Sequence, residues 1–150
     1  MSISVLELFA AFNGLPDRPA MSLRAGNAED DYEAHPDYDA EIDRLTPEYL
    51  ETYHWGIGYL DAESWRYYLP HLLAHALQSL ARPGSMVVQS LLYYLRPPDR
   101  DPPRFGALTP AQSQAVIAVL DELAFAHESV WQDDAMLALE EYWAPGARYR

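Results

Sequence analysis

The sequence predicts an all-α fold: one compact domain over residues 1–150, with six or seven helices, a long acidic loop at about 15–45 and a Pro-rich connector at 96–104. Three observations carry that expectation. Apolar residues recur at spacings of three and four in several segments, which is the period of a helix with one buried face. Ser- or Thr-led start motifs precede the helices, and nowhere do two alternating apolar segments flank a hairpin turn dipeptide. At 150 residues, 49% hydrophobic and 22% charged, the chain resembles an ordinary globular protein and is long enough to bury a core without staples.

The elements follow in order. Ser4-Val5-Leu6-Glu7 is a capping box, so a helix is expected from about Val5 to Asn13, stopped by Gly14 and Pro16. Residues 15–45 mix four turn-formers (Pro16, Pro19, Gly26 and Pro36) with clustered acids, which reads as surface loop with at most a short helical piece near 39–44. Thr46-Pro47-Glu48 starts a helix to about His54, where Gly56 and Gly58 are expected to break it. Asp61 caps a segment from Ala62 to Leu69, and Pro70 reads as a kink or as the first residue of a fresh helix to Leu80. There Leu69, Leu72, Leu73, Ala76, Leu77 and Leu80 form a wide apolar stripe, marking the central core helix. Val87, Val88, Leu91, Leu92 and Leu95 place a helix over Met86–Leu95. Four prolines in residues 96–104 predict an extended, polyproline-like connector. Thr109-Pro110-Ala111-Gln112 starts a helix to about His127, and a last one is expected from Asp133 to Trp143 before Pro145-Gly146.

Composition narrows the function classes. Without cysteine there are no disulfides, thiolate zinc sites, iron–sulfur clusters or cysteine nucleophiles. No apolar run reaches the roughly 18 residues of a membrane span, and MSISVLELF lacks the basic start of a signal peptide, so a cytoplasmic location is expected. The net charge is −13, and all ten basic residues are arginine. Such a surface repels phosphate backbones and anionic lipid, so neither nucleic acid nor membrane is an expected partner. Residues 29–43 alone hold eight acids and no arginine, more than half of the excess. A basic protein is the partner that this charge suits, while a solvated acidic loop is the plainer reading.

Few motifs carry chemistry. His71 and His75 are four apart on a helix, the spacing by which two imidazoles reach one metal, but no third ligand is named by spacing. The alternative is a polar boundary beside the leucine stripe, and no metal or cofactor is expected. Asp37, Asp39, Glu41 and Asp43 alternate as calcium ligands would, yet the sixth position of an EF-hand loop counted from Asp37 is Ile42 where glycine is needed. Aromatic residues crowd positions 49–68; as a group they suit the core, and Trp55, beside two glycines, is the best candidate for exposure. There is no nucleophile elbow, phosphate-binding glycine loop or dinucleotide fingerprint.

The run Tyr59-Leu60-Asp61-Ala62-Glu63-Ser64-Trp65-Arg66-Tyr67-Tyr68-Leu69-Pro70 resembles the aromatic–Tyr-Leu-Pro core of a bacterial family of unknown function, DUF6714. Leu8-Phe9-Ala10-Ala11-Phe12, Leu108-Thr109-Pro110-Ala111-Gln112 and Leu139-Glu140-Glu141-Tyr142-Trp143 extend the likeness over most of the chain, with Asp61 standing where the family's usual cap residue would be. The resemblance implies a small soluble bacterial helical domain and brings no catalytic residue with it.

The first functional expectation is a non-enzymatic, acidic protein-binding domain of the inhibitor or immunity type. Its candidate binding residues are Asp30, Asp31, Asp37, Asp39, Trp55, Trp65, Arg66, Tyr68, His71 and His75. The alternative is a small helical metal-binding protein or hydrolase using His71 and His75 with carboxylates. An apolar helix face left uncovered by short helices would allow a homodimer.

Overall fold

Short polar side chains start most of the helices. Ser4 Oγ accepts from the Glu7 backbone N–H at 3.0 Å and the Glu7 carboxylate accepts from Ser4 N–H at 3.0 Å, opening α1 (Val5–Ala11). Ser22 opens α2 (Leu23–Asp30), Thr46 α3 (Pro47–Thr52), Asp61 α4 (Ala62–Leu77) and Ser85 α5 (Met86–Tyr94). After α6 (Pro102–Gly106), Thr109 and Gln112 make a second capping box for α7 (Pro110–Phe125). α8 (Gln132–Ala138) runs into a π-helical turn, Leu139–Trp143. The computed structural model describes residues 2–97 and 102–149, and every regular element among them is helical. No helix among these residues is long and apolar enough to cross a membrane.

α4 lies at the centre. Its Trp65, Tyr68, Leu69, Leu72 and Leu73 are fully buried against α5 (Val87, Val88, Leu91, Leu92) and α7 (Val116, Val119, Leu120, Leu123). Burying each large apolar side chain contributes about 1.5–3 kcal/mol. That sum explains why no fresh helix starts at Pro70: the helix continues through it, although an interior proline costs about 3 kcal/mol.

Three expectations are corrected. Residues 15–45 are not one long loop, because α2 occupies Leu23–Asp30 and buries Leu23, Ala25, Gly26 and Ala28. Sequence patterning missed it since only one large aliphatic marks its inner face; near 39–44, where at most a short helical piece was expected, the chain makes a turn over residues 40–43. α3 ends at Thr52, close to the expected His54, but Gly56 and Gly58 lie in a further element, a 3₁₀ helix over His54–Tyr59, and not in an irregular break. Gly56 meets Gly26 backbone to backbone: a Cβ on Gly26 would stand 2.5 Å from the Gly56 carbonyl oxygen. Two small residues, one on each element, let α2 and the 3₁₀ helix cross in contact.

The connector is corrected at its far end. Pro98 to Asp101 lie outside the described residues, but Pro102 and Pro103 begin α6, where a proline's missing N–H would have had no helical partner anyway. α6 is docked rather than extended in solvent. Arg104 Nη2 donates to the Gly58 and Leu60 carbonyls at 2.9 and 2.6 Å, and the buried Phe105 ring lies 5.0 Å from that of Trp143.

Candidate functional site

The acidic stretch divides into an anchored end and a presented end. Asp43 is buried; Arg24 of α2 grips it with Nε and Nη2 at 3.0 and 3.1 Å, the Tyr49 hydroxyl donates to it at 2.7 Å, and Asp39 N–H donates at 2.8 Å. Burial opposes the charge on Asp43, but the bonds from Arg24, Asp39 and Tyr49 outweigh it and hold the carboxyl below the usual carboxylate range. Burial and this carboxylate push the Tyr49 phenol far up. Arg24 also donates to the Asp37 carbonyl at 3.1 Å, tying the chain before the turn to α2.

The presented end surrounds the C-terminus of α2. Glu29 and Asp30 sit in its last turn and Asp31 at its C-cap, with no basic residue in that turn. Tyr32 follows with φ of 59°, a left-handed conformation rare outside glycine, and the residue is 99% exposed. Glu29, Tyr32, Glu33, His35 and Tyr59 line a concave surface of about 520 Å³. A hydrogen bond with Asp30 holds the Tyr59 phenol above its ordinary range. Of the expected binding residues, Asp30 and Asp31 belong to this face; Asp37 is exposed but its carbonyl is held by Arg24 in the first turn of α2, and Asp39 is structural: its Oδ1 accepts from the Glu41 and Ile42 N–H groups at 2.9 and 3.1 Å.

The aromatic candidates separate. Trp65 and Tyr68 are fully buried core residues and form no part of a surface. The Tyr68 hydroxyl instead accepts from Leu23 N–H at 3.0 Å, and burial pushes its pKa up to about 12. Arg66 bridges Glu63 Oε2 and the Ala107 carbonyl, each at 3.0 Å. Trp55 is 56% exposed, its indole tilted over His54 with ring centroids 4.5 Å apart.

Trp55 opens a groove of about 540 Å³ between the 3₁₀ helix, α5 and the start of α8, lined also by Met86, Gln89, Tyr93, Val130 and Asp134. Sequence reading missed this groove. Met86, Gln89, Ser90 and Tyr93 are spaced i, i+3, i+4, i+7 on the face of α5 opposite its buried stripe, and an aromatic and a methionine on a face expected to be polar were the available signal.

The histidine pair is drawn into structure. His75 Nε2 lies 2.8 Å from Glu51 Oε2, which also accepts from Ser85 Oγ at 2.6 Å, while Glu51 Oε1 accepts from Met86 and Val87 N–H at 3.0 and 3.2 Å. Glu51 is thus the remote cap of α5, a role no sequence motif announced. Burial raises its pKa, but the bonds from Ser85, His75 and Val87 outweigh this and leave the carboxyl below its ordinary range. His71 packs at the edge of Phe9, centroids 5.0 Å apart, and burial lowers its pKa. Both histidines line a cavity of about 120 Å³ with Leu50 and Pro47. Among the described residues no three His, Cys, Asp or Glu side chains group as a metal site.

No curated protein and no solved structure matches the chain. A family model does, over residues 4–147, and its description is a family of unknown function, DUF6714. A match over nearly all of the 150 residues, spanning every helix described above, settles membership: the chain belongs to the family of unknown function DUF6714.

Proposed function

We propose that this is a non-enzymatic binding domain that presents the acids around the end of α2 to a basic protein. One observation carries the reading: Glu29, Asp30 and Asp31 occupy the helix terminus where the macrodipole disfavours negative charge, with no basic residue in that turn. An arrangement that costs the free protein stability suits a surface whose charge is matched on binding. The exposed Tyr32 and half-exposed Tyr59 stand among those carboxylates, supplying ring faces that attract arginine or lysine. Arg24, by holding Asp43 and the Asp37 carbonyl, keeps the segment attached to α2.

A polar peptide of arginine, glycine and serine tests this by calorimetric titration. The protein is expected to bind it with an affinity that falls as salt rises, because exposed charges are screened over about 8 Å at physiological ionic strength. Changing Asp30, Asp31 and Asp37 to Asn and Glu33 to Gln is expected to weaken binding several-fold. Equal affinity for both proteins at low and high salt would overturn the reading.

A further inference from the structure

Four of the exposed large apolar side chains, Trp55, Met86, Tyr93 and Val130, converge on the groove beside the 3₁₀ helix, whereas Leu6 and Phe125 stand outside it. We propose that this groove is the apolar subsite of the same binding face, and that its occupant is an amphipathic cationic segment of the basic partner, seated by its apolar side between Trp55 and Tyr93. The inference rests on the acidic-face reading above and adds where the partner's apolar residues go.

Charge selects that occupant. The groove's arginine, Arg96, is held by Glu141 in a two-point pair at 3.0 and 2.6 Å, so its charge is already matched. Asp134 is exposed in the lining and is the acid the groove presents among its described lining residues. The burial that lowers the His54 pKa keeps that imidazole neutral, so it adds no positive charge. An acidic segment would be repelled, and a second copy of this chain brings its own −13.

Geometry joins the groove to the acids. The 3₁₀ helix is the wall between them, with His54 and Trp55 in the groove and Tyr59 in the acidic concavity. At about 2.0 Å rise per residue, Trp55 and Tyr59 are separated by roughly 8 Å along the axis, less than two turns of a bound helix. Four residues at three per turn also set the two side chains about 120° apart around the axis, so a segment that crosses the rim of the 3₁₀ helix places apolar anchors on Trp55 and cations beyond Tyr59, tryptophan and tyrosine being anchor types enriched at such interfaces.

The test compares two peptides of equal charge on the full chain by titration calorimetry: one with leucine and arginine at helical spacing, the other the arginine–glycine–serine peptide. Trp55→Ala and Tyr93→Ala are expected to weaken the amphipathic peptide about tenfold or more and to leave the polar peptide within about twofold. Leu6→Ala, which removes a still more exposed apolar side chain elsewhere, is expected to change neither. Unchanged melting temperatures show that the variants remain folded. If Trp55→Ala acts no more than Leu6→Ala, the groove inference fails while the acidic reading stands. If neutralising the α2 acids changes neither peptide, the acidic reading fails instead. A leucine–glutamine peptide that binds as well as the leucine–arginine one, or a dimer in sedimentation that Trp55→Ala dissociates, gives the groove to another occupant and overturns the inference.

Discussion

Asp37 and Asp43 are six residues apart in one acidic run, yet their carboxylates live in opposite environments. Asp43 is buried under Arg24 and Tyr49, and Asp37 is exposed. Asp43→Asn is expected to cost about 3 kcal/mol, because it leaves the Arg24 guanidinium in a partly buried site without its counter-charge, while Asp37→Asn should stay within about 0.5 kcal/mol. Urea denaturation of the two variants checks this. The same chemistry sets an acid limit. The depressed Asp43 and Glu51 contribute stability that is complete above their unfolded pKa values and lost as pH falls through the folded ones. His54 and His71, also depressed, take up protons in the unfolded chain first, so stability should already decline as pH drops below about 6.5. The urea midpoint is therefore expected to fall in two stages, a shallow one below about pH 6.5 and a steeper one below about pH 4, and Glu51→Gln should flatten the second. Nothing in the sequence separated Asp43 from its neighbours, since its difference lies in partners 19 residues upstream and six downstream.

Elements were legible in proportion to how locally they are determined. The capping boxes at Ser4 and Thr109 and the stripe of α4 formed as their motifs require, because every group involved lies within one or two turns. α2 and α6 did not announce themselves. Each is short and held by distant contacts, Gly56 for α2 and the Gly58 and Leu60 carbonyls for α6. The groove was half legible: Trp55 stood out and Met86 and Tyr93 marked the outer face of α5, while the walls that the 3₁₀ helix and α8 add to it come from distant parts of the chain. The α2 crossing gives a prediction of unusual sign. Gly26→Ala should raise helix propensity by about 1 kcal/mol, yet the new methyl meets the Gly56 carbonyl, so net destabilisation of about 1–3 kcal/mol is expected from chemical denaturation. A gain in stability would show that the two backbones do not touch. On α4, Leu73→Ala should cost about 2–5 kcal/mol, with a smaller loss for Leu77→Ala because Leu77 is only partly buried.

For the molecule as a whole, a net charge of −13 repels itself, so moderate salt should raise the melting temperature while weakening any cationic ligand. A melting temperature indifferent to salt would mean that the arginines already balance the acids locally. The helix ends carry a further consequence. α2 begins under the Tyr68 and Tyr49 hydroxyls, which accept from Leu23 and Arg24 N–H; α5 begins under Glu51; and the Leu95 carbonyl after α5 accepts from the Trp143 indole at 2.8 Å. Just past α4, the Ser79 carbonyl accepts from the Trp131 indole at 2.9 Å and the Leu80 carbonyl from Val130 N–H at 2.8 Å. In most proteins terminal turns fray first and exchange their amide hydrogens with solvent long before the chain unfolds. Here the Leu23 amide is held by the fully buried Tyr68 of α4 and those of Arg24, Met86 and Val87 by side chains of α3, so their exchange should be slower than that of ordinary first-turn amides, slowest of all at Leu23.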